Sequence, residues 1–87
     1  MRVVAKTIEV VAWFGEKGEI NPVRFRIKDD EERFQVIKID KIMKRDTEKL
    51  AGNIMEKFTC TSIIGGVERI FEIKYERATY KWMLFKI

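Results

Sequence analysis

The chain has 87 residues, 46% of them apolar and 37% charged, with ten aromatic side chains and no histidine. That length and mix fit one globular domain over residues 1–87 and exclude a low-complexity chain. Without histidine, Ser-His-Asp and Cys-His chemistry and histidine-ligated metal sites are excluded, and a lone cysteine, Cys60, excludes an internal disulfide or a thiolate-rich zinc site. The net charge is +4, but the acidic run Asp29-Asp30-Glu31-Glu32 hides a balance of 18 basic to 10 acidic side chains, or +8, over the other 83 positions. The surface scaling law predicts roughly 5,400 Å² exposed for a folded chain of this size.

Along the chain the hydrophobic period is mostly two. Lys6 to Phe14 alternates, with Ile8, Val10, Ala12 and Phe14 on one face, and its β-branched and aromatic content predicts a strand. Gly15 to Gly18 is a turn. Ile20 to Lys28 forms a second strand, in which Val23, Phe25 and Ile27 alternate with Arg24 and Arg26; Pro22 suits a strand start or an edge. The acidic run turns the chain. Arg33 to Met43 is the third strand, but Phe34 and Val36 share one parity while Ile37 and Ile39 share the other. A bulge at Val36-Ile37 would restore the register and bend the strand, as a small barrel requires.

Lys44 to Asn53 is the one stretch where a helix competes. Asp46 suits a cap over residues 47–51, with Gly52 or Asn53 ending the turn, so the segment is expected to be a connector. Ile54 to Ser62 resumes the strand pattern, Gly65-Gly66 is a hairpin turn, and Val67 to Glu76 alternates clearly, with Val67, Phe71, Ile73 and Tyr75 on one face. Tyr80 to Ile87 is the sixth strand. The fold class is therefore mainly β: a small six-stranded antiparallel barrel or strongly bent sheet, with at most one short helix near 46–52. An open sheet with a true helix there is the alternative. The expected core is Ile8, Val10, Phe25, Ile27, Phe34, Phe58, Phe71, Ile73, Trp82 and Leu84.

Four constellations bear on function. Basic residues interleave with aromatics at Arg24-Phe25-Arg26 and Tyr80-Lys81-Trp82, the pairing that nucleic-acid binders on small barrels use. Simple strand alternation, with Phe25 and Trp82 inward, explains it equally. Lys38, Lys41, Lys44, Arg45 and Lys49 cluster around the connector, although Asp40, Asp46 and Glu48 interrupt them. Together Arg24, Arg26, Lys38, Lys41, Lys44, Arg45 and Lys49 are the candidate nucleic-acid contacts; solvated ion pairs are the plainer reading. Glu68 and Glu72 lie on one strand about 13–14 Å apart, too far for a glycosidase pair, and Gly65-Gly66 is too short to cradle a phosphate. The expectation is no catalytic site, no metal and no cofactor. Finally, Val11, Trp13, Ile70, Met83, Phe85 and Ile87 exceed what one barrel interior accommodates. Trp13, Tyr80, Met83, Phe85 and Ile87 are the candidate self-association residues, with the terminal strand as a free edge inviting a twofold dimer.

The strand Ile8 to Phe14, the run Asn21-Pro22-Val23-Arg24-Phe25, the segment Lys44 to Asn53 and the closing Lys81-Trp82-Met83-Leu84-Phe85 resemble a family of small bacterial proteins of clostridial type without assigned activity. The Pro-x-x-Phe strand and the Trp-x-Leu ending also resemble, more distantly, a short domain that accompanies translesion DNA polymerases; Ile27 stands where that domain commonly has an aromatic. The resemblance implies DNA-associated work and transfers no site. The chain has no apolar segment long enough for a signal peptide or a membrane span, so the expected location is cytoplasmic. The functional expectation is a non-catalytic binding or interaction module acting as a small dimer, with no small-molecule substrate. The alternative is a nucleic-acid-binding accessory protein.

Overall fold

A computed structural model describes all 87 residues as seven β-strands without a helix. They are β1 (Val3–Phe14), β2 (Ile20–Lys28), β3 (Phe34–Lys38), β4 (Lys41–Leu50), β5 (Asn53–Ile64), β6 (Val67–Glu76) and β7 (Lys81–Lys86). Every neighbouring pair is antiparallel, in the order β3-β2-β1-β7-β6-β5-β4. The sheet curls strongly into a half-barrel, and β1 carries part of the curl: residues 9–14 pair with β2 and residues 3–8 with β7.

The second bend lies between β3 and β4 and corrects the expected six strands to seven. The stretch read as one strand from Arg33 to Met43 changes partner at Ile39-Asp40. The Ile39 amide donates to the Val23 carbonyl at 2.9 Å, and the next amide, Asp40, donates to the Thr61 carbonyl at 3.0 Å. The fully buried Ser62 hydroxyl donates to the Lys38 carbonyl, and the Ile63 amide donates to the Asp40 carboxylate at 2.9 Å. The expected bulge at Val36-Ile37 is not there. Ile37 and Ile39 are both buried, whereas Phe34 and Val36 are both exposed, so parity never slips. Two outward apolar side chains imitated a change of register.

The expected connector with a short helix near 46–52 is instead most of β4 and its turn. Residues 44–50 pair with 59–53 of β5 in unbroken register. Ala51 and Gly52, with φ of 50° and 83°, make the two-residue turn whose twist suits a hairpin. A helix over seven residues would pay full nucleation for about three hydrogen bonds, and an available ladder partner outweighs it.

Ten aliphatic and aromatic side chains and Cys60 fill the core: Ile8, Ile20, Phe25, Ile37, Ile39, Phe58, Cys60, Phe71, Ile73, Tyr75 and Leu84. Phe25 meets Phe71 edge-on at 5.5 Å, and Trp82 lies 4.9 Å from Tyr75 and 5.7 Å from Phe58. Of the expected core, Val10, Ile27 and Trp82 are half-buried against this cluster, while Phe34 is 48% exposed and lies outside it. The exposed surface is 6113 Å², above the roughly 5,400 Å² of the scaling law. The excess fits a sheet that does not close. At one open mouth, Ile27, Ile37, Ile64, Leu84 and Ile87 line a cleft of about 340 Å³. No helix is long and apolar enough to cross a membrane.

Candidate binding face on β1, β2 and β3

Cross-strand register decides which side chains share the outer face of the three strands β1 to β3. Val10 and Ile37 flank Phe25 on the inner side, so their neighbours point out. One outer row is Val11, Arg24 and Lys38; the next is Glu9, Arg26 and Val36; Phe34 follows opposite Lys28. A register shift between Val11 and Ala12 leaves Val23 as the extra residue on β2 and keeps Pro22 and Ile20 inward, both buried. Trp13, opposite Asn21, therefore stays on the outer side and is 57% exposed. Glu9, Val11, Arg24, Arg26 and Val36 border a shallow cleft of about 320 Å³.

The charges on this face are unequal. Arg26 Nε donates to Glu9 at 2.8 Å, and its guanidinium lies 4.0 Å over the Phe34 ring. That hydrogen bond holds the Glu9 carboxyl below its ordinary range. Lys28 reaches Glu32 of the acidic turn at 3.5 Å. Arg24 and Lys38 stand opposite each other and pair with no carboxylate.

The seven basic candidates thus do not converge. Arg24, Arg26 and Lys38 share the outer β2–β3 face. Lys41 and Lys44 lie beyond the corner on β4, where Lys44 approaches Asp46 at 3.7 Å, and Lys49 lies near the far end of that strand. Arg45 turns inward. It sits opposite Phe58, with its guanidinium 5.6 Å over that ring, and donates to the Ile20 carbonyl and, at 2.9 Å, to Asn21 Oδ1. These bonds clasp the seam between β4 and β2, away from the face that Arg24, Arg26 and Lys38 share.

The self-association candidates also divide. β7 lies between β1 and β6, so the terminal strand is not an edge; β3 and β4 are. Met83 is half-buried on the outer side between Thr7 and Lys74. Phe85 is covered by the Lys74 ammonium, 3.7 Å from its ring centre, and Ile87 packs on the core. Only Trp13 and Tyr80, the latter 79% exposed in the β6–β7 turn with φ of 61°, remain free.

One charged cluster was missed by sequence reasoning. On the outer face of β4 to β6, Lys57 sits 3.4 Å from Glu48 and 3.3 Å from Glu72, while Lys74 reaches Glu48 at 3.1 Å. Glu72 and Lys74 are both under 9% exposed. The Lys74 hydrogen bond holds Glu48 below the usual carboxylate range, and Glu72 raises Lys57. The register made by the Gly65-Gly66 turn places Lys57 directly opposite Lys74, and that count alone flags two like charges needing carboxylates between them. Cys60 is sealed in the core, where desolvation pushes its thiol up to about 12. No group of three or more Cys, Asp or Glu side chains converges where a metal could sit. No protein-family model, curated protein or solved structure matches the chain, and the resemblance noted above stays with the residues that carry it.

Proposed function

We propose that the protein is a non-catalytic binding module whose outer β1–β3 face holds a polyanionic partner. The observation that carries this reading is the pairing of Arg24 with Lys38, two cations side by side without a carboxylate, on a face whose one carboxylate, Glu9, is already taken by Arg26. Desolvating unpaired cations against an apolar partner would cost free energy, whereas phosphate or another anion offsets that cost. The missing histidine and the buried, unreactive thiol support a binding role over catalysis.

A twofold dimer is the second reading, favoured by the exposed rings of Trp13 and Tyr80. Through Trp13 it would compete for the same face. An isologous contact there would set Arg24, Arg26 and Lys38 against their own copies.

The test is binding of a labelled oligonucleotide, competed with inorganic polyphosphate, at low and physiological salt. Two phosphate contacts give a slope of about −1.4 to −1.8 in log affinity against log salt. Arg24→Ala or Lys38→Ala flattens it by about 0.7–0.9, and Lys49→Ala leaves it unchanged. Absence of binding at low salt overturns the reading.

A further inference from the structure

We infer that the polyanion held on this face is a single-stranded nucleic acid, gripped by stacking as well as by charge. This rests on the polyanion reading above and narrows it. The reason is what stands beside the cations. Trp13 projects from the same outer side as Val11, two residues along β1 and so about 7 Å away, and Val11 is the register partner of Arg24. Its indole is 57% exposed and packs against no other ring and under no cation. At the other end of the face Phe34 carries the Arg26 guanidinium 4.0 Å above it, so a second flat surface, part ring and part guanidinium, is already assembled. Val11 and Val36, 51% and 63% exposed, supply an apolar floor between the two.

Phosphate alone explains the cations and leaves these four apolar side chains unused. An unpaired strand uses both, since its backbone is anionic and its bases have free faces for aromatic and guanidinium planes. A duplex keeps its base faces stacked inside. Acidic residues at the rim set a limit to the footprint: Asp29 to Glu32 lie just past Lys28, and a strand bound over Arg24 must turn away before reaching them.

The experiment compares three probes on the full chain at low salt: a twelve-nucleotide oligothymidylate, a duplex of the same length, and inorganic polyphosphate of matched charge. The single strand is expected to bind at least several-fold more tightly than the other two. Trp13→Ala should weaken it about tenfold, within the range that loss of one stacked base produces, and Trp13→Phe should recover most of that loss. Neither change should alter polyphosphate affinity. Because Trp13 is exposed, a circular dichroism spectrum matching the parent is expected and shows that the fold is kept. Equal affinity for all three probes, or a single-strand affinity indifferent to Trp13→Ala, overturns the stacking inference and leaves polyanion binding standing. Failure of every probe to bind overturns both.

Discussion

At position 71 a phenyl ring is fully sealed, edge-on to Phe25; at position 34 the same ring lies half in solvent beneath a guanidinium. Truncation should separate the two. Phe71→Ala opens a cavity where the two halves of the curl meet and should cost about 3–5 kcal/mol. Phe34→Ala should cost about 1 kcal/mol or less, chiefly the lost cation–π contact with Arg26. Urea unfolding of both variants checks this; comparable midpoints would show that Phe34 belongs to the core after all. Six of the ten expected core residues, among them Phe25, Phe58 and Phe71, were legible because each sits in a run of clean alternation. Phe34 was not, since a strand with apolar side chains on both faces reads the same either way up. Only its partner decides, and Lys28 decides for the outside. Trp13 was legible as surplus to the interior for the converse reason, its strand having Ile8 and Val10 already committed inward.

Among the elements, β4 departs furthest from what its residues suggest alone. Glu48 to Leu50 are good helix formers behind the capping candidate Asp46, and nothing local forbids a turn of helix. Its strand state comes from β5, whose residues 53–59 meet it rung by rung. As a sheet edge it is guarded by Lys41, Lys44 and Lys49 and by a register shift between Ile42 and Lys44, devices that discourage pairing with a foreign strand. The same element supplies Glu48 to the cluster with Lys57 and Lys74, which makes stability depend on pH at both ends. The Glu48 pKa is lowered by folding, so its contribution is present at neutral pH and is lost as pH falls through and below 4.5. The Lys57 pKa is raised by folding, so its contribution is present at neutral pH and is lost as pH rises past 10.5. Thermal melting against pH should therefore show a plateau with two shoulders. Glu48→Gln should lower the plateau and flatten the acid shoulder; an unchanged acid limb would assign acid unfolding to other carboxylates.

Over the whole molecule, the strand order places the ends of the chain in the middle of the sheet and consecutive strands β3 and β4 at its two edges. β1 and β7 are neighbours, and their outer ends are tied: the Arg2 amide donates to the Ile87 carbonyl at 2.7 Å, and the Ile87 amide returns the bond to Arg2 at 3.0 Å. The pairing that joins the two halves of the curl is thus the one with the greatest separation along the chain, and it forms only when residues 81–86 are available. Both edges, meanwhile, are held at one point by Ile39 and Asp40. Each strand pairs with the next along the chain except β3 with β4, which the corner at Ile39 and Asp40 joins. β7 pairs back with β1, so the covalent break falls between two paired strands. That break is movable. A chain in which Ile87 runs through a short glycine-serine linker into Met1, with new ends opened in the acidic turn between Asp30 and Glu31, retains every strand and every register. Such a rearranged protein should fold with the parent's spectrum and bring β7 and β1 together as a simple hairpin, while β2 and β3, now at opposite ends of the chain, become the pairing of greatest separation. Refolding at a rate close to the parent's in stopped-flow measurements is the expected result, since one first-to-last pairing replaces another. An unfolded product would show that the existing ends, and not the ladder between them, hold the two halves together.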